Sequence, residues 1–370
     1  MKRLAAVVTG LAICIGMAGQ APAVQAAGEP APATSAVSGK MPGPGSFDYD
    51  MQALRNSLAP GFTYDYGNWI QYFSGAAVWG LKACGVPGRT GWGQMAVADA
   101  TGSVAAFVLS HGCKWAFDRV RPDGSRANSF PSGHTTTAFL TATWLQKEYG
   151  ERLPWLCGIG YGVATLTAQQ RILRNKHWTT DTMAGAVVGV LSAEIGYWLS
   201  DIILGKHNYR FFDEFTYDTS LKYWEASYWY SRRLAFDGRH GAAAAMQVQA
   251  PLGPSWGIAA RGAASNVDET RAMLSAMAGA YYVRQVAPKA EVGAHVLAGA
   301  AWWDDNDQAD GAAAHGWHAA GCGFDMVAGL SASCILTQSA KIRFIAEWET
   351  IPAAGWLNAI NLGLGGSIYF

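Results

Sequence analysis

From about Asp218 to Phe370 the chain is divided into segments of ~10 residues rich in small and aromatic side chains. The dividers are turn signals: Leu252-Gly253-Pro254-Ser255, Ala287-Pro288-Lys289, Asp304 to Gly311, and Ile351-Pro352. Two segments alternate in register. Ile342, Phe344, Ala346 and Trp348 share one face, opposite Lys341, Arg343, Glu347 and Glu349, with Ile345 the apolar exception. Ile360, Leu362, Leu364, Ile368 and Phe370 share a face opposite Asn361, Gly363, Gly365 and Ser367. A side-chain period of two means antiparallel strands. A soluble β-sandwich or lipocalin-like barrel would turn its apolar face inward. Small and polar residues on the second face, with a terminal aromatic, favour a narrow barrel that turns its apolar face to lipid. About 150 residues allow about eight strands, give or take two.

Before this region the pattern is helical. Segments 92–117, 133–149, 155–173 and 178–204 are apolar, with polar residues at helical intervals. None is a clean span of ~20 apolar residues. Asp99 interrupts the first, and Glu194 and Asp201 the last. The expectation is a packed helical domain outside the membrane, because strongly apolar helices would stop a barrel protein in the inner membrane. The fold class expected is therefore two-domain α + β: an N-terminal all-α bundle over 47–210 and a C-terminal antiparallel transmembrane barrel over 218–370. The connection near 205–217 is short.

Residues 1–26 have the form of a secretory signal, with basic Lys2 and Arg3, an apolar stretch from Leu4 to Met17, and small residues at Val24-Gln25-Ala26. Ile13 is bulky where a lipoprotein cleavage box needs a small residue. The 27–46 stretch, rich in Ala, Pro, Gly and Ser, reads as a flexible linker. Five cysteines would remain, Cys84, Cys113, Cys157, Cys322 and Cys334, an odd number with no metal spacing. Cys322 and Cys334 would either face each other across a hairpin or line the barrel. A formal net charge of zero gives no case for nucleic acid as a partner.

The helical half carries an ordered constellation. Lys114 precedes Arg121-Pro122 by six intervening residues; Pro131-Ser132-Gly133-His134 follows; then come Gln170-Arg171, His177 and Asp181. Three cations can neutralise a phosphoryl group in transfer. Pro131 suits entry to a helix beginning near Ser132, where backbone N–H groups of Ser132, Gly133 and His134 would face an anion. His177 and Asp181 are four apart, so a helix would place the carboxylate beside the imidazole. No carboxylate cage suggests a metal. His111, Asp118, Arg119, Asp123, Arg126 and Arg174 have no place in the pattern and read as surface or supporting residues. His240, His295, His315 and His318 fall in the strand half without ligand spacing.

In order and spacing this set resembles the type 2 phosphatidic acid phosphatase and vanadium haloperoxidase superfamily, over about residues 60–205. The departure is Gln170, where the family pattern has Ser. The resemblance implies His177 as nucleophile through a phosphohistidine, His134 as general acid and then base, and Asp181 orienting His177. It implies Lys114, Arg121, Ser132, Gly133 and Arg171 as the phosphate cradle. The expected function is metal-independent hydrolysis of a phosphate monoester or pyrophosphate, without a cofactor. A phosphorylated lipid is favoured, with the domain in the periplasm of a Gram-negative bacterium and the barrel in outer-membrane lipid. The alternatives are a phosphatase of soluble phosphomonoesters, a haloperoxidase with vanadate as cofactor, and a non-catalytic barrel. Neither substrate nor oligomeric state is written in the motif.

Overall fold

The computed structural model describes residues 38–206, 224–266, 271–303, 321–337, 340–352 and 357–369. The expected signal peptide, most of the expected linker, His315, His318 and Phe370 lie outside the described residues. The fold is two-domain: a helical bundle followed by a closed antiparallel barrel of eight strands.

The helices are α1 (Phe47–Leu58), α2 (Gly67–Ile70), α3 (Phe73–Ala83), α4 (Trp92–Phe117), α5 (Gly133–Tyr149), α6 (Pro154–Leu173) and α7 (Thr179–Ile203). The four long ones fall where the apolar segments place them. Within the span expected as linker, Lys40 forms a parallel bridge with Arg119, donating to the Asp118 carbonyl at 2.9 Å. Helix α7 packs on α5 and α4 at backbone distance. A Cβ on Gly189 would meet the Thr136 carbonyl at 2.5 Å, and one on Gly196 the Ala98 carbonyl at 2.4 Å. Glycine there brings α7 close enough for its first turn to touch the entry of α5.

The core of the bundle is unusual in holding charge. Lys82 pairs with Glu148 at 3.2 Å, and Lys147 with Glu194 at 2.7 Å, all four side chains buried. Glu148 also accepts from the Tyr197 hydroxyl at 3.0 Å. Asp99 and Asp201 are buried as well. Val104, Phe107, Val108, Val187 and Leu191 face outward instead. Helix α7 is long and apolar enough to cross a membrane by length and composition.

The barrel strands are β1 (Glu225–Ala235), β2 (His240–Pro251), β3 (Trp256–Asn266), β4 (Ala272–Ala287), β5 (Ala290–Trp303), β6 (Gly321–Thr337), β7 (Ala340–Ile351) and β8 (Leu357–Tyr369). Strand β8 closes on β1, with Tyr369 opposite Glu225. The alternation read from the sequence is the inside–outside alternation. Phe344, Trp348 and Leu362 are exposed, while Lys341, Arg343, Glu347, Glu349 and Asn361 are buried in the lumen. Those charges are matched: Lys341 with Glu225 and Glu291, Arg261 with Glu347, Arg233 with Glu349. His295 joins them at 2.8 Å from Glu347. Asp325 is the exception among the described residues, buried with neither carboxylate oxygen hydrogen-bonded. An apolar outer belt around a polar, largely charge-paired interior is the arrangement of a membrane barrel. Cys322 and Cys334 do neither thing expected of them. Both lie exposed on β6, so they neither face each other nor line the lumen.

The bundle lies along the barrel wall. At the end where β1 turns into β2, α1 carries Asp50, which pairs with Arg232 and lies 3.2 Å from His240; Asn266 donates to the Asp50 carbonyl at 2.9 Å. Met51, Leu54 and Ile172 pack there with Tyr230, Ala242 and Ala272. At the other end, Ala138, Tyr161 and Ala164 pack with Ala340 and Ile368.

Candidate active site

The site forms where the last turns of α4 and α6 meet the first turns of α5 and α7. The sequence does this through two loops, 118–131 between α4 and α5, and 174–178 between α6 and α7. His177 sits at the end of the second loop and is 3% exposed, so its ring has one fixed environment. Its Nδ1 is 2.8 Å from the Ser129 carbonyl. A carbonyl only accepts, so Nδ1 carries the proton and Nε2 keeps its lone pair.

The expected hydrogen bond between Asp181 and His177 is replaced by this one. Asp181 Oδ2 stands 3.8 Å from Nδ1, too far for a hydrogen bond but close enough for charge to be felt. The carboxylate is itself held from three sides. It accepts from the Trp178 backbone N–H at 2.9 Å, from the Ser129 hydroxyl, and from Arg119 Nη1 at 2.7 Å.

Arg119 therefore belongs to the site. It forks between Asp181 and Asp48 of α1 and donates to Thr180 Oγ1 at 2.7 Å. Asp48 in turn accepts from the Thr180 N–H at 2.9 Å, which caps α7 from a different helix. Reading the sequence left Arg119 as a surface or supporting residue and did not single out Asp48. The parallel bridge at Lys40 and the position of α1 bring them in, and neither is visible as a local pattern.

Ser132 is the N-cap of α5, with Gly133 its first residue. Pro131 thus stands just before the cap, at the entry to a helix that begins beside Ser132, as expected. The Ser132 N–H donates to the Asp181 carbonyl at 3.0 Å, so it is not free to face an anion. Gly133 and His134 remain as donors, since the first N–H groups of a helix have no carbonyl a turn earlier.

Lys114 reaches over the same spot, donating to the Asn128 and Pro131 carbonyls at 2.8 and 2.6 Å. Burial, with Arg121 beside it, pushes its pKa down to about 8. Arg121 is held by Asn128 Oδ1 at 3.1 Å. Arg171 is buried, its Nε has no hydrogen-bond partner among the described residues, and Asp65 lies 3.8 Å from Nη1. An unsatisfied guanidinium N–H in such a place suits an incoming anion.

His134 Nε2 lies 2.7 Å from Asn68 Oδ1. Burial, then the charges of Arg171 and His177, push its pKa down to about 4. His177 is also pushed down to about 4, burial outweighing Asp181. Both imidazoles are therefore neutral at pH 7. The charges acting on these two rings include Arg121, Lys114, Arg171 and Asp181, which the sequence singled out, and Asp65, which it did not.

Gln170 has a use of its own. Its Nε2 donates to the Tyr64 carbonyl at 2.8 Å and to Asp65 Oδ1 at 3.1 Å. Asp65 accepts from Asn68 at 2.8 Å, and Asn68 meets His134. A serine would be too short to span this gap. Gln170 thus ties down the turn that carries the partner of His134. Gly67 leaves room for it, since a Cβ there would meet Gln170 Oε1 at 2.4 Å. Among the described residues no cluster of His, Cys, Asp and Glu is arranged to hold a metal ion.

Residues 95–203 match the PAP2 superfamily. A lipid A 1-phosphatase from Porphyromonas gingivalis is 43% identical over 157 residues, 42% of this chain and 35% of that protein. The chain thus spans about a third of that relative's length. Among solved structures, Aquifex aeolicus LpxE is 21% identical with a TM-score of 0.31, over 39% of this chain and 92% of that one. Neisserial surface protein A is 9% identical with a TM-score of 0.33, over 40% of this chain and 97% of that one.

Proposed function

We propose that the chain is a metal-independent phosphatase of phosphorylated lipids, held in the outer membrane by its barrel. The observation that carries this is the buried, neutral His177, with its Nδ1 proton held by the Ser129 carbonyl, its other nitrogen left with a lone pair, and the charges of Arg121 and Lys114 acting on its ring. His177 Nε2 attacks phosphorus, the P–O bond to the leaving group breaks, and a phosphohistidine forms. The positive charge that develops on His177 is balanced by Asp181. Lys114, Arg121, Arg171 and the N–H groups of Gly133 and His134 hold the three non-bridging oxygens.

His134 is neutral in the free protein, but a phosphate dianion raises its affinity for a proton. It then protonates the leaving oxygen, and in the second step takes a proton from the water that attacks phosphorus and frees His177. Bond making and breaking need no group beyond these side chains and water.

The identity with a lipid A 1-phosphatase supports a lipid phosphate as substrate. The outer belt of the barrel supports a membrane location. A periplasmic catalytic domain, the expectation from sequence, is disfavoured by the packing of the bundle along the barrel wall.

The test is phosphate release in detergent from lipid phosphates, a prenyl pyrophosphate and soluble phosphoesters. His177→Ala is expected to lose all release while keeping its helix content. Activity retained in that variant would sink the mechanism, and release from soluble esters alone would remove lipid as substrate.

A further inference from the structure

The bundle is built inside out for a domain surrounded by water. Its interior holds Lys82, Glu148, Lys147, Glu194, Asp99 and Asp201, all buried. On α4, Val104, Phe107 and Val108 are 63, 62 and 59% exposed, and on α7 Val187 is 54% exposed. A helical domain in water hides such residues and shows its charges. Charges turned inward, four of them as the pairs Lys82–Glu148 and Lys147–Glu194, with an apolar exterior are what lipid demands.

The second observation is where this exterior lies. Helix α6 runs along the outside of β1 and β8. Near its start, Gly158 lies against the backbone of Tyr369 at one end of the barrel; near its finish, Ile172 packs with Tyr230 and Ala242 towards the other. Tyr230 points outward from β1, yet the helices bury it. The apolar face of the bundle therefore continues the barrel's own lipid-facing belt of Ile258, Val296, Leu330 and Phe344. An open apolar groove of about 740 Å³ runs along the seam, lined by Phe47 and Met183 on one side and by Leu330, Phe344 and Leu362 on the other. Helix α7, at 25 residues, is about 37 Å long, enough to cross a hydrocarbon layer of ~30 Å.

The third observation is which rim the site occupies. Asp48 and Asp50 are two residues apart on α1. One holds Arg119 beside Asp181, and the other holds Arg232 and lies against His240 at the turn from β1 to β2. That rim also carries the connections 267–271, 304–320 and 352–356, between consecutive strands. The opposite rim has the start of β1, the end of β8 and the connections 252–255, 288–289 and 338–339. Outer-membrane barrels place short turns in the periplasm and longer loops outside.

We propose that the helical domain lies in the bilayer beside the barrel, its outer face among acyl chains and its site at the long-loop rim. The phosphorylated lipids it takes are then those of the outer leaflet, with an acyl chain seated in the seam groove below the headgroup. This rests on the phosphatase reading for the substrate, but not for the placement.

The test separates the two. In a chain whose six cysteines are replaced by alanine, single cysteines are placed at Val108 and Ser125, with Asp237 and Lys289 as markers of the two rims. Ser125 is exposed in the loop that follows Arg121, and neighbouring Pro122 accepts from Gln52 of α1. A spin label at Val108→Cys in phosphatidylcholine vesicles is expected to collide with oxygen and to be shielded from a water-soluble nickel reagent. Shielding absent there would overturn the embedding. On intact cells, a polymer-tethered maleimide too bulky for a porin channel is expected to label Ser125→Cys and Asp237→Cys but not Lys289→Cys. Labelling of Lys289→Cys in place of the other two would put the site on the periplasmic side and overturn the leaflet assignment. None of these readouts needs activity, so a silent enzyme and a misplaced domain give different results.

Discussion

Replacing Arg119 with alanine tests the least expected part of the site. The guanidinium bridges Asp48 and Asp181, whose side chains are 6% and 0% exposed. Without it two buried carboxylates face each other unpaired. Breaking a buried pair by removing one partner costs about 3–5 kcal/mol, so the bundle should lose that much stability to chemical denaturation. Asp181 keeps its bonds from Trp178 and Ser129 but loses the third, so it can move and carry with it Ser129, whose carbonyl holds His177. A displacement of about 1 Å at a reacting atom costs about 100-fold, so kcat should fall by that factor with KM little changed. Arg119→Lys keeps the charge, but a single ammonium cannot fork between two carboxylates and Thr180, and its loss should be about tenfold. The assay is steady-state release from a soluble phosphoester, with denaturation followed on the same samples. A folded Arg119→Ala variant with kcat within about twofold of the parent, under ~0.4 kcal/mol, would refute the reasoning.

The remaining predictions concern protons, the turn behind Gln170, and the lumen. The kcat/KM profile should fall below about pH 4, where His177 takes a proton, and above about pH 8, where Lys114 loses one; an alkaline limb unmoved to pH 10 would refute the role of Lys114. Both histidines have folded pKa values below the ordinary 6.5, so the unfolded chain binds more protons between there and about pH 4. Their contribution to stability is therefore whole above pH 6.5 and lost as pH falls to about 4, which acid titration of helix content measures. Gln170→Ser should cost about 2- to 10-fold in kcat, the worth of one hydrogen bond, with no change if the turn at Tyr64 and Asp65 does not act on His134. In planar bilayers the barrel should show no steady conductance, because Arg233, Arg261 and Lys341 fill the lumen with their partners. Single-channel steps in the intact protein would contradict that packing.

Much of this protein is legible along the chain. Strand alternation at 341–349 and 360–368 fixes which side chains enter the lumen, because a period of two leaves a residue no third choice. The spacing of Lys114, Arg121, His134, Arg171, His177 and Asp181 marks the site, because each sits at a helix end or in the adjoining loop. Gln170 was visible as a departure, but its partners Tyr64 and Asp65 are more than a hundred residues away.

What only the tertiary structure decided depends on pairs far apart in sequence. Arg119 read only as a surface or supporting residue, and Asp48 had no place in the pattern, until α1 packed on the first turn of α7. Read along the chain, Asp99 breaks the apolar run of α4, and Glu194 and Asp201 break that of α7, although α7 keeps the length and composition to cross a membrane. Folded together, Glu194 meets Lys147, all three acids turn inward, and the outer surface becomes apolar. Hydropathy along a segment sums its charges whichever way they point, whereas the bilayer meets only the face that packing leaves outside.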